Sequence, residues 1–209
     1  MKVRLEYVWI DGYTPEPNLR SKIKIVDYNS IKESFLDGNF PVWNFDGSST
    51  LQAETGSSDC ILKPVRHYFK DIESTVYVLC EVLNSDGSPH ESNKRSSIGE
   101  GFEDLWFGFE QEYTIYRNGR PLGFPKNGYP EPQGKYYCGV GNGQVDGREF
   151  VDNHMEMCIK AGIEITGTNA EVLLGQWEFQ VFSQGKEKAG DDLWMARYIL
   201  MQMSEEYGF

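Results

Sequence analysis

Hydrophobic and polar positions alternate from the first residues: Val3, Leu5, Tyr7 and Trp9 stand against Arg4, Glu6, Val8 and Ile10, which predicts a strand. The turn-rich DGYTPEPN follows, and LRSKIKIVDY then resumes the alternation, so the opening reads as a hairpin with a long, proline-stiffened tip. In NSIKESFL, Ser30 and Glu33 have the spacing of a capping box and predict a short helix that Gly38 ends. PVWNFDGSSTLQ begins like a strand and runs into Asp46, Gly47, Ser48, Ser49 and Thr50; alone, such a run is an ordinary polar turn. STVYVLCEVL reads as a buried strand, and the Gly-, Pro- and Ser-bearing NSDGSPHESN after it places a domain boundary near Ser88.

Beyond that boundary, NKRSSIGEGFEDLW predicts a short helix weakened by Gly99 and Gly101. FGFEQEYTIY is again strand-like, with Phe107, Phe109, Gln111, Tyr113 and Ile115 on one side and Glu110, Glu112 and Thr114 on the other. Residues 118–147 hold much of the chain's Gly and Pro and predict long ordered loops with aromatic anchors. REFVDNHMEMCIKA predicts a helix with Val151, Met155, Cys158 and Ile159 on its apolar face, His154 packed or at the surface, and Gly162 as the stop. Two β runs broken at 174–176 come next, followed by a helix in DDLWMARYILMQMSEEY.

Composition narrows the class. The 209 residues are 39% hydrophobic and 25% charged, with no apolar run of membrane-spanning length, so a soluble globular protein is expected. The start carries no signal-peptide pattern, which makes the cytoplasm the default location. A net charge of −12 disfavours nucleic acid and anionic lipid and favours cations as partners. Cys60, Cys80, Cys138 and Cys158 stand far apart, without zinc spacing, and are expected to be reduced core residues. No GxxxxGK[ST] occurs, and GVGNG lacks the strand-then-helix setting of a dinucleotide fingerprint.

The candidate chemistry is acidic. On a strand, Glu110 and Glu112 lie about 6.6 Å apart on one face, suited to one cation each at neighbouring sites. A wet strand face also carries Glu for no further reason, so the pair alone does not decide. Glu171 and Glu178 form a second acidic pair with Gly175 between them. A reversal or bulge at Gly175 lets both face the same cleft, with Trp177, Phe179 and Val181 inward and Gln180 beside Glu178. Such carboxylates suit magnesium or manganese.

WNFDGSST, WFGFEQEYT, GKYYCGVG and GTNAEVLLGQWEFQ, in this order and spacing, resemble the signature segments of glutamine synthetase in its eukaryotic-type branch. The resemblance implies an α+β fold: a β-grasp-like domain over 1–88, then over 89–209 the first part of a catalytic domain with an antiparallel, guanido-kinase-like sheet. It also implies a homo-oligomeric ring. By position, Glu112, Glu171 and Glu178 match the ligands of the metal on the glutamate and ammonium side, and Glu110 a ligand of the metal that holds the nucleotide phosphates. Asp46 and Ser49 match a loop reaching into a neighbouring subunit's site, where the aspartate binds ammonium and takes its proton. Trp106 resembles an aromatic lying against adenine, and Glu110 and Glu178, Phe179 and Gln180 match nucleotide-pocket positions.

The implied activity is ATP-dependent ligation of ammonia to L-glutamate through a γ-glutamyl phosphate, with Mg2+ or Mn2+. Family members are longer, and the part expected beyond Phe209 carries a His, a further Glu, arginines and a flap glutamate. One usable metal site, one crippled site and little activity are therefore expected of this stretch, with Leu193, Ala196, Tyr198 and Leu200 of the last helix left uncovered. Two other readings compete: a non-catalytic short homologue that binds metal or nucleotide or joins full-length subunits, and a two-metal phosphoryl hydrolase, which leaves the DGSST loop unexplained.

Overall fold

In the computed structural model, which describes residues 1–71 and 74–209, the chain forms two compact units, Met1–Gly101 and Phe102–Phe209. The first is built on a five-stranded sheet. Strand β1 (Lys2–Ile10) pairs antiparallel with β2 (Leu19–Asp27), from Lys2 opposite Asp27 to Ile10 opposite Leu19, as the repeated alternation predicts. The intervening loop is anchored on the buried Asp11, whose carboxylate accepts the Asn18 amide at 2.8 Å and Arg20 Nε at 2.9 Å.

Two single-turn helices follow, α1 (Tyr28–Ile31) and α2 (Ser34–Asp37), in place of the one helix expected. Ser30 is not its cap: it lies inside α1, and its hydroxyl donates to the Asp27 carbonyl. Gly38 does end α2, in the left-handed region, with its amide on the Ser34 carbonyl.

Strand β3 (Trp43–Asp46) leads into a 3-10 turn, Gly47–Thr50, and then into β4 (Asp59–Asp71) and β5 (Thr75–Leu83). The sheet order is β2-β1-β5-β4-β3, with β1 and β5 parallel and the other pairs antiparallel. The pattern of the sequence does not announce β4, because Pro64 interrupts its run; a register shift between Pro64 and Arg66 accommodates it. Val3, Leu5, Tyr7 and Trp9 of β1 and Val76, Val78, Cys80 and Val82 of β5 form one face of the core, over Ile31 and Phe40. Residues after Ser88 stay with this unit: His90 donates its amide, and Asn93 its side chain, to the Val82 carbonyl. Their compactness runs on to Gly101, past the boundary placed near Ser88. A single 3-10 turn, Arg95–Ser97, stands where a short helix is expected.

In the second unit β6 (Trp106–Thr114) is followed by the two-residue strands β7 (Tyr116–Arg117) and β8 (Arg120–Pro121), a long loop and helix α3 (Arg148–Ala161). Next come β9 (Ile165–Ala170), β10 (Gln176–Gln184) and helix α4 (Lys186–Tyr207). The sheet order is β6-β10-β9, all antiparallel. Helix α4 packs on β10 and β6, and α3 on α4 and β9, so one sheet face is covered and Trp177, Phe179 and Val181 are buried there.

Three expectations change here. Ile159 is exposed, while Phe150, Val151, His154 and Cys158 are the inward side chains of α3. Leu193, Ala196 and Tyr198 are buried rather than uncovered, because the sheet and α3 supply their cover, and Leu200 is half-buried. Cys138 is exposed, whereas the other three cysteines are buried, and all four are free. No helix among the described residues is long and apolar enough to cross a membrane.

His154 is fully buried, with Nε2 2.9 Å from the Ala196 carbonyl and no partner for Nδ1. Desolvation pushes its pKa down to about 4. The unfolded chain therefore takes up a proton that the folded one refuses. The stability this contributes is full above about pH 6.5 and falls as the pH drops toward 4. Between pH 7 and pH 5 the loss is expected to be about 2 kcal/mol. His154→Gln is expected to flatten that part of the profile, read as urea midpoint against pH.

Candidate functional site

Antiparallel register puts the acidic side chains together. Glu178 of β10 stands opposite Glu112 of β6 on one side and Asn169 of β9 on the other, and Gln180 stands opposite Glu110 and Gly167. Side chains alternate across a strand, so Glu110 and Glu112, Glu178 and Gln180, and Asn169 share the sheet face opposite Phe179. Cβ atoms of directly opposed residues are about 5 Å apart, which makes Glu112 and Glu178 immediate neighbours. Gly175, at φ +81°, makes the reversal between β9 and β10, and the Glu171 amide closes it on the Gln176 carbonyl at 2.9 Å.

Amides hold three of these carboxylates. Gln176 Nε2 donates to Glu112 Oε2 at 2.8 Å, and Asn169 Nδ2 to Glu171 Oε1 at 3.0 Å. Gln180 Nε2 donates to Glu178 Oε1 and, at 2.8 Å, to Asn169 Oδ1. The second Glu171 oxygen accepts the Val172 amide at 3.1 Å. Glu171 and Glu178 are each only 8% exposed, yet among the described residues no Lys or Arg forms an ion pair with either. Burying a carboxylate is costly unless it is hydrogen-bonded or paired with a cation, and here only the hydrogen bonds are present among the described residues. The all-oxygen donor set is the kind that magnesium or manganese takes.

The fit to such an ion is one of chemistry and sheet face. Among the described residues no three acidic, His or Cys groups are gathered tightly enough to enclose one. The Glu171 carboxylate lies back against Asn169 and Val172, and side-chain rotation would have to bring it to Glu178.

Glu110 is exposed, one alternate position along β6 from Glu112. At the start of β6 the exposed Trp106 stacks on Phe182, ring centroids 5.0 Å apart and planes 26° apart, on the same face. Phe179 departs from its expected place. Its ring is fully buried on the helix-covered face, 5.2 Å from His154 and 6.2 Å from Tyr113, so its side chain cannot line a pocket on the open face.

Asp46 and Ser49 belong to the first compact unit, the carboxylates to the second. Asp46 caps the 3-10 turn, its Oδ1 accepting the Ser48 hydroxyl at 2.6 Å and amide at 3.0 Å. Those bonds, the hydroxyl's first, hold the Asp46 carboxyl below its ordinary range, so the exposed loop presents a fixed anion. Ser49 beside it is exposed. The turn is pinned by the Gly47 amide on the Ser58 carbonyl and the Gln52 amide on the Gly47 carbonyl.

Sequence reasoning passed over Asn169, Gln176 and Tyr137. The signal for the two amides was there: Gln176, Glu178 and Gln180 alternate along one strand, where alternate positions share a face, and Asn169 stands two residues before Glu171 near the end of the other. Tyr137 lies in the quoted GKYYCGVG, a segment tied to β9 by the Cys138 amide on the Ala170 carbonyl at 2.9 Å. Its hydroxyl pKa is raised first by Cys138 and then by the Glu171 and Glu178 carboxylates, which puts it within their field. Only long-range packing brings it there.

A sequence profile described as "Glutamine synthetase, beta-Grasp domain" matches residues 2–85. Among curated relatives, a glutamine synthetase of Bradyrhizobium diazoefficiens is 53% identical over 212 residues, covering 99% of this chain and 60% of the relative. One of Rhizobium meliloti is 48% identical over 99% of this chain and 63% of the relative. Glutamine synthetase 2 cytoplasmic of Drosophila melanogaster is 48% identical over 99% of the chain and 56% of its own length. The chain thus spans about three-fifths of the relatives it matches. A Plasmodium falciparum glutamine synthetase solved by cryo-electron microscopy superposes with a TM-score of 0.65 at 12% identity, covering 99% of this chain and 46% of that one, a likeness of fold.

Proposed function

Because the chain belongs to the glutamine synthetase family, we propose that it contributes to ATP-dependent ligation of ammonia to L-glutamate, and that Glu112, Glu171 and Glu178 hold one divalent cation there. What carries this reading is the pair of buried carboxylates, Glu171 and Glu178, that have amide donors but no cationic partner among the described residues. Bound magnesium or manganese would neutralise charge on phosphate oxygens as it develops.

A carboxylate is a poor acyl donor, since its leaving group would be oxide. ATP therefore phosphorylates the glutamate side chain, and ammonia displaces phosphate from the γ-glutamyl phosphate. On the open face, Glu110 would be a ligand of a second divalent cation that holds the nucleotide phosphates, and Trp106 lies against adenine, with Glu178 and Gln180 along the same wall. The acidic face concentrates ammonium. Asp46, kept ionised by Ser48, binds ammonium and takes its proton in a neighbouring subunit of a homo-oligomeric ring, with Ser49 shaping the loop. A cytoplasmic setting goes with this reaction.

Phosphoryl transfer leans on positive groups whose loss costs roughly 10³-fold or more. Among the described residues no Lys or Arg ion-pairs with the acidic face, so these 209 residues by themselves are expected to turn over slowly. The test is incubation with ATP, Mg2+, glutamate and ammonium while phosphate and glutamine are followed. Slow phosphate release that requires glutamate and is matched by glutamine is the expected result. Phosphate release indifferent to glutamate would mean a hydrolase. Metal or nucleotide binding with no glutamine at all would fit a non-catalytic short homologue or a fragment inactive by itself.

A further inference from the structure

We propose that Phe182 is a positioning residue for nucleotide binding, holding the Trp106 indole ready to stack on a purine base; this rests on the nucleotide site proposed above.

Trp106 opens β6 and Phe182 lies near the end of β10, both on the open face. Their side chains are 57% and 46% exposed, yet the rings stack on each other with centroids 5.0 Å apart and planes 26° from parallel. Phe182 thus covers one side of the indole, and a flat ligand has the other side to stack on. A tryptophan standing alone at the start of a strand would exchange between rotamers and lose that freedom when a base arrived. Contact with Phe182 removes the freedom on folding, so less is lost on binding.

The backbone makes room for the pair. Gly108 stands directly opposite Phe182 and Trp106 opposite Gln184, so the two rings are diagonal neighbours across the antiparallel pair, within reach of aromatic side chains. A Cβ at position 108 would lie 3.2 Å from the Phe182 ring, closer than ordinary contact, so the missing side chain lets that ring lean over β6 toward Trp106. The start of β6 is itself tied down. The Gly185 amide donates to the Leu105 carbonyl at 2.8 Å, and Gln184 Nε2 to the Asp104 carbonyl at 3.3 Å.

Glu110 and Gln180 are the next opposed pair on this face, one alternate step or about 6.6 Å from Gly108 and Phe182. A base against Trp106 can therefore run its sugar and phosphates toward Glu110. The aromatic pair offers ring surface and no charge, so its contribution belongs to the base and not to the phosphates.

That division is the test. The 209-residue chain is titrated calorimetrically, with Mg2+ present, by ATP and by inorganic tripolyphosphate, which carries phosphates without a base. Phe182→Ala is expected to weaken ATP binding about 10-fold, as loss of a stacking contact does, and to leave tripolyphosphate binding where it is. Phe182→Tyr, which keeps the ring, is expected to bind ATP as the unaltered chain does. Gly108→Ala, which crowds the ring without changing its chemistry, is expected to weaken ATP binding in the same direction, and it carries the test if Phe182→Ala fails to fold.

Unchanged ATP affinity in Phe182→Ala, or ATP and tripolyphosphate affinities that fall together, would overturn the role of Phe182 while leaving the nucleotide site standing. An unaltered chain that binds ATP no more tightly than tripolyphosphate would show that the base is not held by stacking and would equally overturn it. An unaltered chain with no saturable binding of either would remove the nucleotide site and the role of Phe182 together.

Discussion

Glu178→Gln is expected to weaken Mn2+ binding by at least about 100-fold, because losing a ligand exceeds the 10- to 100-fold cost of losing a partner behind one. Glu178 is the carboxylate on which the open face converges. It stands opposite Glu112, is held by Gln180, and is only 8% exposed. Without metal the same substitution is expected to act the other way. Removing a buried charge that has no cationic partner, while an amide oxygen can still accept from Gln180, is expected to raise stability by about 1 kcal/mol. A variant more resistant to urea yet deaf to Mn2+ would distinguish a cation site from a set of structural acids. A urea midpoint that falls, with Mn2+ affinity retained, would contradict it.

Gly175→Val is expected to cost the second unit about 3 kcal/mol or more. The backbone at Gly175 has φ +81°, a region that penalises a β-branched side chain by about 1–3 kcal/mol. A Cβ would also meet the Leu122 carbonyl oxygen, which is backbone and cannot step aside cheaply. The Gly175 carbonyl accepts the Ile115 amide at 2.9 Å, so the displaced turn would also loosen the end of β6. For a unit of this size the loss corresponds to a melting temperature lower by roughly 10 °C or more. Mn2+ affinity should fall with it, since the same turn keeps Glu171 beside the strand that carries Glu178. A melting temperature within about 3 °C of the unaltered chain would show that the reversal tolerates a side chain.

Where hydrophobic periodicity was clean, the fold was legible. Val3, Leu5, Tyr7 and Trp9 alternate and form a core face; the STVYVLCEVL run is buried as β5; and the break at Gly175 is the hairpin that its position between two β runs implies. Strand β4 was hidden by Pro64, since a proline argues against a central strand unless a register shift absorbs it, and only pairing with β3 and β5 reveals that one does. Ser30 has capping spacing, but the chain turns helical at Tyr28, ahead of it, so its hydroxyl serves the Asp27 carbonyl instead.

The acids of the candidate site could be picked out because alternation on a strand assigns faces. The same rule puts Phe179 on the far side from Glu178, which counts against its side chain as a pocket wall. What alternation cannot supply is the identity of the neighbour across the sheet. That Gln180 lies over Gly167 and reaches Asn169, or that Tyr137 comes within the field of Glu171, depends on register and on a loop returning from a distance in sequence. The cover over Leu193 and Tyr198 was misjudged for a related reason. The apolar stripe of α4 was visible, but that β10, β6 and α3 suffice to bury it is a property of packing.

The most direct measurement is anomalous diffraction from crystals of the chain grown with Mn2+. The account predicts a manganese peak on the open face of the β6-β10-β9 sheet, bonded to carboxylate oxygens of Glu112, Glu171 and Glu178. A manganese peak bound elsewhere, or saturated crystals with those three side chains still turned only to their amide partners, would contradict it.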